Sequence, residues 1–172
     1  MVHAVRASGT IALDGVLSEN AWTTAQPVTD FTQREPVEGA SATERTEVRI
    51  LYDDDALYVG ARLFDSRPDS VRAQLARRDR IASSDRFVIF LDCYHDRRTG
   101  FFFGINAAGT LYDGTLYNDD WDSDTWDGVW DGKASRDSLG WSAELRIPYS
   151  QLRFQRHKTH RWGINFKREI AR

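Results

Sequence analysis

The sequence predicts an all-β chain, an antiparallel β-sandwich of jelly-roll type with one or two short helical turns. Three observations predict it. Apolar and polar residues alternate with a period of two in several segments, turn-forming residues separate those segments at short intervals, and helical periodicity is scarce. Period-two alternation puts apolar side chains on one face of a strand and polar ones on the other. Short strands punctuated in this way build sandwiches or barrels.

The elements follow in chain order. Residues 18–22 read as one helical turn with Ser18 as N-cap. A strand over residues 48–52 runs through the turn Asp53-Asp54-Asp55 into a second over 57–64. There Leu57, Val59, Ala61 and Leu63 face one way, and Tyr58, Gly60, Arg62 and Phe64 the other. In residues 70–78, Val71, Leu75 and Arg78 suit a helix, with a strand left open. Residues 87–91, Phe-Val-Ile-Phe-Leu, are apolar throughout, as a central strand covered on both faces would be. The turn at residues 95–100 leads into a strand over 101–105, and Asn106-Ala107-Ala108-Gly109 into one over 110–117. Trp130 belongs to a strand leading to Ala134. After a turn at residues 137–140, Trp141, Ala143, Leu145 and Ile147 alternate with Ser142, Glu144 and Arg146. Pro148 then reads as the first helical residue of a short turn. Last, Trp162, Ile164 and Phe166 alternate with Gly163, Asn165 and Lys167. No internal repeat or linker interrupts the pattern, so residues 1–172 read as one domain.

The bulk numbers fit this reading. A chain of 172 residues buries roughly 70% of its unfolded surface, enough for a core without staples. The net charge of −3 gives no reason to expect nucleic acid. The charge is polarised, however. Residues 113–131 hold seven Asp and no Lys or Arg, whereas residues 153–172 hold seven basic residues against one Glu. The single cysteine, Cys93, excludes an internal disulfide and reads as a small buried hydrophobe. No apolar run reaches 18 residues, so no direct membrane insertion is expected. The N-terminus lacks a charged region followed by an apolar one, so no signal peptide is expected, and both ends read as cut from a longer precursor.

The strongest site candidate is the acidic stretch Leu116-Tyr117-Asn118-Asp119-Asp120-Trp121-Asp122-Ser123-Asp124-Thr125-Trp126-Asp127-Gly128. Calcium takes six to eight oxygens, several of them from carboxylates. Asp119, Asp120, Asp122, Asp124 and Asp127 are therefore candidate ligands of a structural calcium ion. Thr125 stands where an EF-hand needs Gly, and no Glu closes the loop, so an EF-hand is excluded. The alternative is an exposed acidic loop holding no ion. Trp121 and Trp126 interleave with these carboxylates and are candidates for a sugar platform, flat apolar faces beside a few polar groups. The alternative is that the rings fold back over the edge of the sandwich. Tyr112 and Tyr117 are weaker candidates. Arg98, beside Arg97, could contact a sugar or lie in a solvated turn. Trp22, Trp141 and Trp162 read as core. His157 and His160 stand among cations, which disfavours a bound metal. His95, near Asp92 and Asp96, reads as part of a turn. No nucleophile elbow, Gly-rich phosphate loop or His-Glu-x-x-His occurs, so nucleotide binding is not expected and catalysis has no good case, although the many paired carboxylates leave a glycosidase open by residue type.

Two signatures near the ends carry a resemblance. The first is Ile11-Ala12-Leu13-Asp14-Gly15-Val16-Leu17-Ser18-Glu19-Asn20-Ala21-Trp22. The second is Gly140-Trp141-Ser142-Ala143-Glu144-Leu145-Arg146-Ile147-Pro148-Tyr149-Ser150-Gln151-Leu152. With residues 47–65, 84–92 and 162–166 between and after them, the order resembles the family 9 carbohydrate-binding module. The nearest subgroup is that of bacterial surface proteins in which such a domain precedes an outer-membrane β-barrel. The resemblance implies the jelly-roll sandwich, bound calcium and an oligo- or polysaccharide ligand. It also implies an extracytoplasmic location and, in the full-length protein, a C-terminal β-barrel partner. Some family members carry an aromatic just before the central strand and a Glu within it. Those places align with Ala82 and Val88 here, a departure from the pattern of reducing-end recognition. Haem-binding relatives use a Met ligand. The only Met here is Met1, so no haem is expected. Three functions stay open at this stage: a non-catalytic, calcium-stabilised carbohydrate-binding module, a structural domain attached to a barrel, and a glycan-acting enzyme domain.

Overall fold

Two five-stranded sheets pack face to face in the computed structural model, which describes every residue except 81, 118–120 and 124; of Trp121 and Asp122 it describes the backbone alone. The first sheet holds β1 (Val5–Arg6), β2 (Thr46–Tyr52), β3 (Ala56–Phe64), β8 (Asp131–Asp137) and β9 (Gly140–Pro148), in the order β1-β2-β3-β9-β8. The second holds β4 (Arg86–Asp92), β5 (Thr99–Asn106), β6 (Leu111–Tyr117), β7 (Trp121–Ser123) and β10 (Gly163–Glu169), in the order β10-β4-β5-β6-β7. Among the described residues every pairing of these strands is antiparallel except that of β1 with β2.

The alternation seen in the sequence becomes the layer between the sheets. Leu57, Val59, Ala61 and Leu63 from β3 meet Trp141, Ala143, Leu145 and Ile147 from β9 and Phe87, Ile89 and Leu91 from β4 in one buried cluster. Cys93, one residue beyond β4, is buried in the same cluster, and burial pushes its thiol up to about 12. β4 is not covered on both faces as its composition predicts: on its outer face Val88 is buried, under Phe102 and Tyr112 of its own sheet, while Phe90 and Asp92 are half-buried.

Turn chemistry closes the strands. Asp53 accepts hydrogen bonds from the Asp55 and Ala56 N–H groups, each at 2.8 Å, and from the Tyr58 hydroxyl. This is the Asx-type turn expected from an acidic tripeptide between strands.

Three local expectations are corrected. The helix α1 spans Asn20–Thr24 and its N-cap is Glu19, not Ser18. The Glu19 carboxylate reaches back to the Ala12 N–H, 2.8 Å away, which fixes the chain one residue later than a Ser18 cap would. Pro148 ends β9, opposite Ala56, and is the N-cap of the 3₁₀ turn Tyr149–Gln151 rather than its first residue. Beyond Ser70, residues 71–78 form neither helix nor strand. After the 3₁₀ turn Pro68–Ser70 the chain runs extended past β6, donating the Asp79 N–H to the Leu111 carbonyl.

Candidate functional site

The outer faces of the two sheets differ in kind. On the first sheet the N-terminal segment lies across β3 and β9, and the residue that fixes it is Glu144, which is fully buried. One oxygen of Glu144 accepts the Asp14 and Gly15 N–H groups at 2.9 and 2.8 Å, and the other accepts the Trp22 indole N–H at 3.1 Å. The Ser142 hydroxyl donates to the Gly15 carbonyl at 2.6 Å. The two end signatures are therefore halves of one device. Gly15 sits at φ +88°, where a Cβ would also stand 2.7 Å from the Ala134 backbone, so the turn demands glycine. Burial pushes the Glu144 carboxyl upward, the Gly15 and Asp14 N–H groups pull it down, and the nearby Glu19 charge adds to the rise; the net direction is up. With both oxygens occupied inside the protein, Glu144 is scaffold.

On the second sheet the outer face is open. Register sets its pattern. Asn165 stands opposite Phe90, Phe90 opposite Phe102, and Phe102 opposite Gly114. One row along, Gly163 stands opposite Asp92 and Gly100 opposite Leu116. The Phe102 ring fills the space that a Cβ on Gly114 would take, and the Tyr112 ring does the same over Gly104. At Gly100 and Gly163 no ring fills the space. A groove of about 430 Å³ results, with Phe90 and Leu116 as its apolar walls. Asp92, Asn165, Thr99, Arg97 and Arg98 supply its polar groups.

The hairpin between β4 and β5 is tightly built. Asp92 accepts the Asp96 and Arg97 N–H groups at 3.2 and 2.8 Å, and Asp96 accepts those of Arg98 and Thr99 at 2.8 and 2.9 Å. The Arg98 and Thr99 N–H groups hold the Asp96 carboxyl below its ordinary range. His95 and Arg97 adopt φ of 54° and 60°, left-handed conformations that non-glycine residues rarely take. The two carboxylates thus organise backbone. Among the described residues neither Arg97 nor Arg98 makes a salt bridge, and both are exposed at the rim.

Of the residues singled out from sequence, Arg98 lines this groove. Tyr112 lies on the same face but is buried, its hydroxyl pushed up to about 12 by burial. Tyr117 is exposed at the end of β6, opposite Thr99. Trp126 takes the covering position. It packs on the core with its ring 5.0 Å from that of Phe101 and 5.9 Å from that of Phe103. Trp121 pairs with Tyr117 through its backbone, and Asp122 with Leu116. Asp119, Asp120 and Asp124 lie outside the described residues. Asp127 faces the Arg78 guanidinium at 3.2 Å, and Arg78 also binds the buried Asp113, which accepts the Trp130 indole N–H at 2.7 Å. Among the described residues no three His, Cys, Asp or Glu side chains gather as a metal site. Sequence reasoning missed Phe90, Leu116 and Asn165. The signal for them was glycine at the outward positions 100, 104 and 114 of otherwise apolar strands, which marks close approach or open space.

The comparisons with known proteins bear on this arrangement. Residues 13–169 match the family described as carbohydrate family 9 binding domain-like. No curated protein matches the chain. Among solved structures, a family 9 carbohydrate-binding module from Caldicellulosiruptor kristjanssonii in complex with cellotriose superposes with a TM-score of 0.63 at 16% identity, over 99% of this chain and 76% of that one. The module from the same organism in complex with glucose gives 0.63 at 17% identity, over 99% and 79%. A protein from Bacteroides uniformis gives 0.68 at 16% identity, over 98% and 83%. At such identities the structures show a shared fold. The family match runs from the Asp14-Gly15 turn held by Glu144 to the last residue of β10, and the chain therefore belongs to the carbohydrate family 9 binding domain-like family.

Proposed function

We propose that this domain is a non-catalytic saccharide-binding module whose site is the groove on the outer face of the β10-β4-β5-β6-β7 sheet. The observation that carries the reading is the open row at Gly163 and Gly100, walled by Phe90 and Leu116 and rimmed by polar groups. Sugars pair C–H faces with apolar surface and hydroxyls with a few placed polar groups, and this groove offers both. Among the described residues the carboxylate that lines it is Asp92, which is engaged in holding the hairpin, whereas glycoside hydrolysis uses two carboxyl groups flanking the bond. The solved family 9 module bound to cellotriose supports a saccharide ligand. An extracytoplasmic location ahead of an outer-membrane barrel belongs to the same proposal, supported by the resemblance of the two end signatures.

The test is calorimetric titration with a glycan panel, repeated on Phe90→Ala. Saccharide binding that weakens tenfold or more in the variant supports the reading. Binding unaffected by Phe90→Ala moves the site elsewhere.

Calcium belongs to the same proposal through the oxygen-rich run Asp119, Asp120, Asp122 and Asp124. Asp127 does not fit as a ligand while it faces Arg78. Thermal unfolding in calcium and in chelator checks this. A structural ion at 100 times its dissociation constant adds about 2.7 kcal/mol, a shift of several degrees, and coincident curves remove calcium from the reading.

A further inference from the structure

Positive charge is concentrated at one end of this groove. Gly163 pairs with Asp92, the last residue of β4, so the β4–β5 hairpin and the connection from β9 into β10 lie at the same end of the sheet. The hairpin brings Arg97 and Arg98, both exposed and lining the groove. The connection brings Arg153, Arg156, Lys158 and Arg161, all exposed, and runs directly into Trp162 and Gly163. Among the described residues none of these six cations has a salt-bridge partner, in a chain whose net charge is −3.

Two carboxylates lie beside them and offset part of this charge. Asp92 and Asp96 each accept two backbone N–H groups of the hairpin. That arrangement fixes the turn from which Arg97 and Arg98 project, with Arg97 locked at φ 60°. The six cations outnumber these two carboxylates. A neutral sugar gains nothing from that excess of positive charge. A guanidinium fork matches a carboxylate or a sulfate ester, each of which accepts two parallel N–H bonds. From this we infer that the groove takes an anionic saccharide, with its acidic group on Arg97 and Arg98 and its ring against Phe90 and Leu116. The inference rests on the saccharide-binding reading above and adds the ligand's charge.

The experiment is a calorimetric titration of the wild type, Arg97→Ala/Arg98→Ala and Phe90→Ala. Three probes of equal length are used: an oligogalacturonate, a sulfated oligosaccharide and a cello-oligosaccharide. The acidic probes are expected to bind at least tenfold tighter than the neutral one. The double variant should lose at least tenfold for them and little for the neutral probe, and Phe90→Ala should weaken them as well. Both arginines are exposed, so thermal unfolding of the double variant should match the wild type. Preference for the galacturonate assigns a carboxylate, and preference for the sulfated probe assigns a sulfate ester. Equal affinity for all three, sensitive to Phe90→Ala, overturns the anionic assignment and leaves the saccharide reading standing. Acidic binding indifferent to Phe90→Ala overturns it too, since it would reflect general attraction to the basic loop. No binding of any probe removes both.

Discussion

The two outer faces of the sandwich handle a charged side chain in opposite ways. On one, Glu144 is sealed beneath the N-terminal segment with three N–H donors on its two oxygens. On the other, Arg97 and Arg98 stand over an open apolar floor with no ion partner among the described residues. A buried polar group whose bonds are all made inside the protein stabilises a fold and has nothing left for a ligand. Polar groups with unused bonding capacity beside apolar surface are what a ligand needs. Glycine marks the same contrast. The space above Gly60 is filled by Leu17 and Trp22, whereas no ring covers Gly163 or Gly100, which line the groove.

The largest expected effect comes from breaking the sealed face. Glu144→Ala leaves the Asp14, Gly15 and Trp22 N–H groups without their acceptor. It should cost about 3–4 kcal/mol, roughly 10 °C in the unfolding midpoint, with the groove's ligand affinity unchanged in the folded protein. Loss of affinity at unchanged stability would contradict the division between the two faces. Titration of Glu144 sharpens the point. Its carboxyl is raised in the fold, mainly by burial, so the native state keeps this proton to higher pH than the unfolded chain does. That contribution to stability is full below the ordinary glutamate value and is lost as pH rises through the raised one. Glu144→Gln has no such proton. Unfolding free energies measured across that window should fall with pH in the wild type more steeply than in the variant.

Trp126 tests the boundary between core and site. Its ring packs on Phe101 and Phe103, on the inner side of β5, away from the groove. Trp126→Ala should cost about 2–3 kcal/mol through lost packing. Titration of the same variant with the groove's ligand should show little change. A large loss of affinity at unchanged stability would return Trp126 to the role of sugar platform.

How much of this was legible from sequence depends on the range of the contact. Faces were legible: the alternation at Leu57, Val59, Ala61 and Leu63, and again from Trp141 to Ile147, gave the inner layer correctly. Both end signatures were visible too. Their meeting at Glu144, across a separation of 129 residues to Gly15, was not, because periodicity reports which way a side chain points and not what it meets. The groove was hidden for the same reason. It is a row across strands, with Gly163 beside Asp92 and Gly100 beside Leu116, drawn from four segments of the chain. Arg98, which lines the groove, was singled out because a charged pair in a turn stands out locally. Trp126 drew notice for its acidic neighbours, but its ring turned inward to the Phe101 and Phe103 surface, a tertiary preference its immediate sequence does not encode.

The smallest stability effect is also the sharpest discriminator between the faces. Alanine can be placed at a glycine on each. At Gly60 the added Cβ meets the Leu17 side chain at 2.7 Å and the Trp22 ring at 2.8 Å, inside a closed cluster. Overpacking there should cost about 2 kcal/mol and leave ligand binding alone. At Gly163 the nearest atom is the Asp92 Cβ at 3.1 Å, and the space beyond is the groove. Gly163→Ala should therefore cost under about 1 kcal/mol, since one half-buried side chain need give way by only a few tenths of an ångström. The shift falls on the residue that holds the Arg97 N–H, and the new methyl group enters the groove. Affinity should drop severalfold while the unfolding midpoint barely moves. If the two alanines instead exchange effects, with Gly60→Ala weakening binding and Gly163→Ala lowering stability, the sealed face and the open face have been assigned the wrong way round.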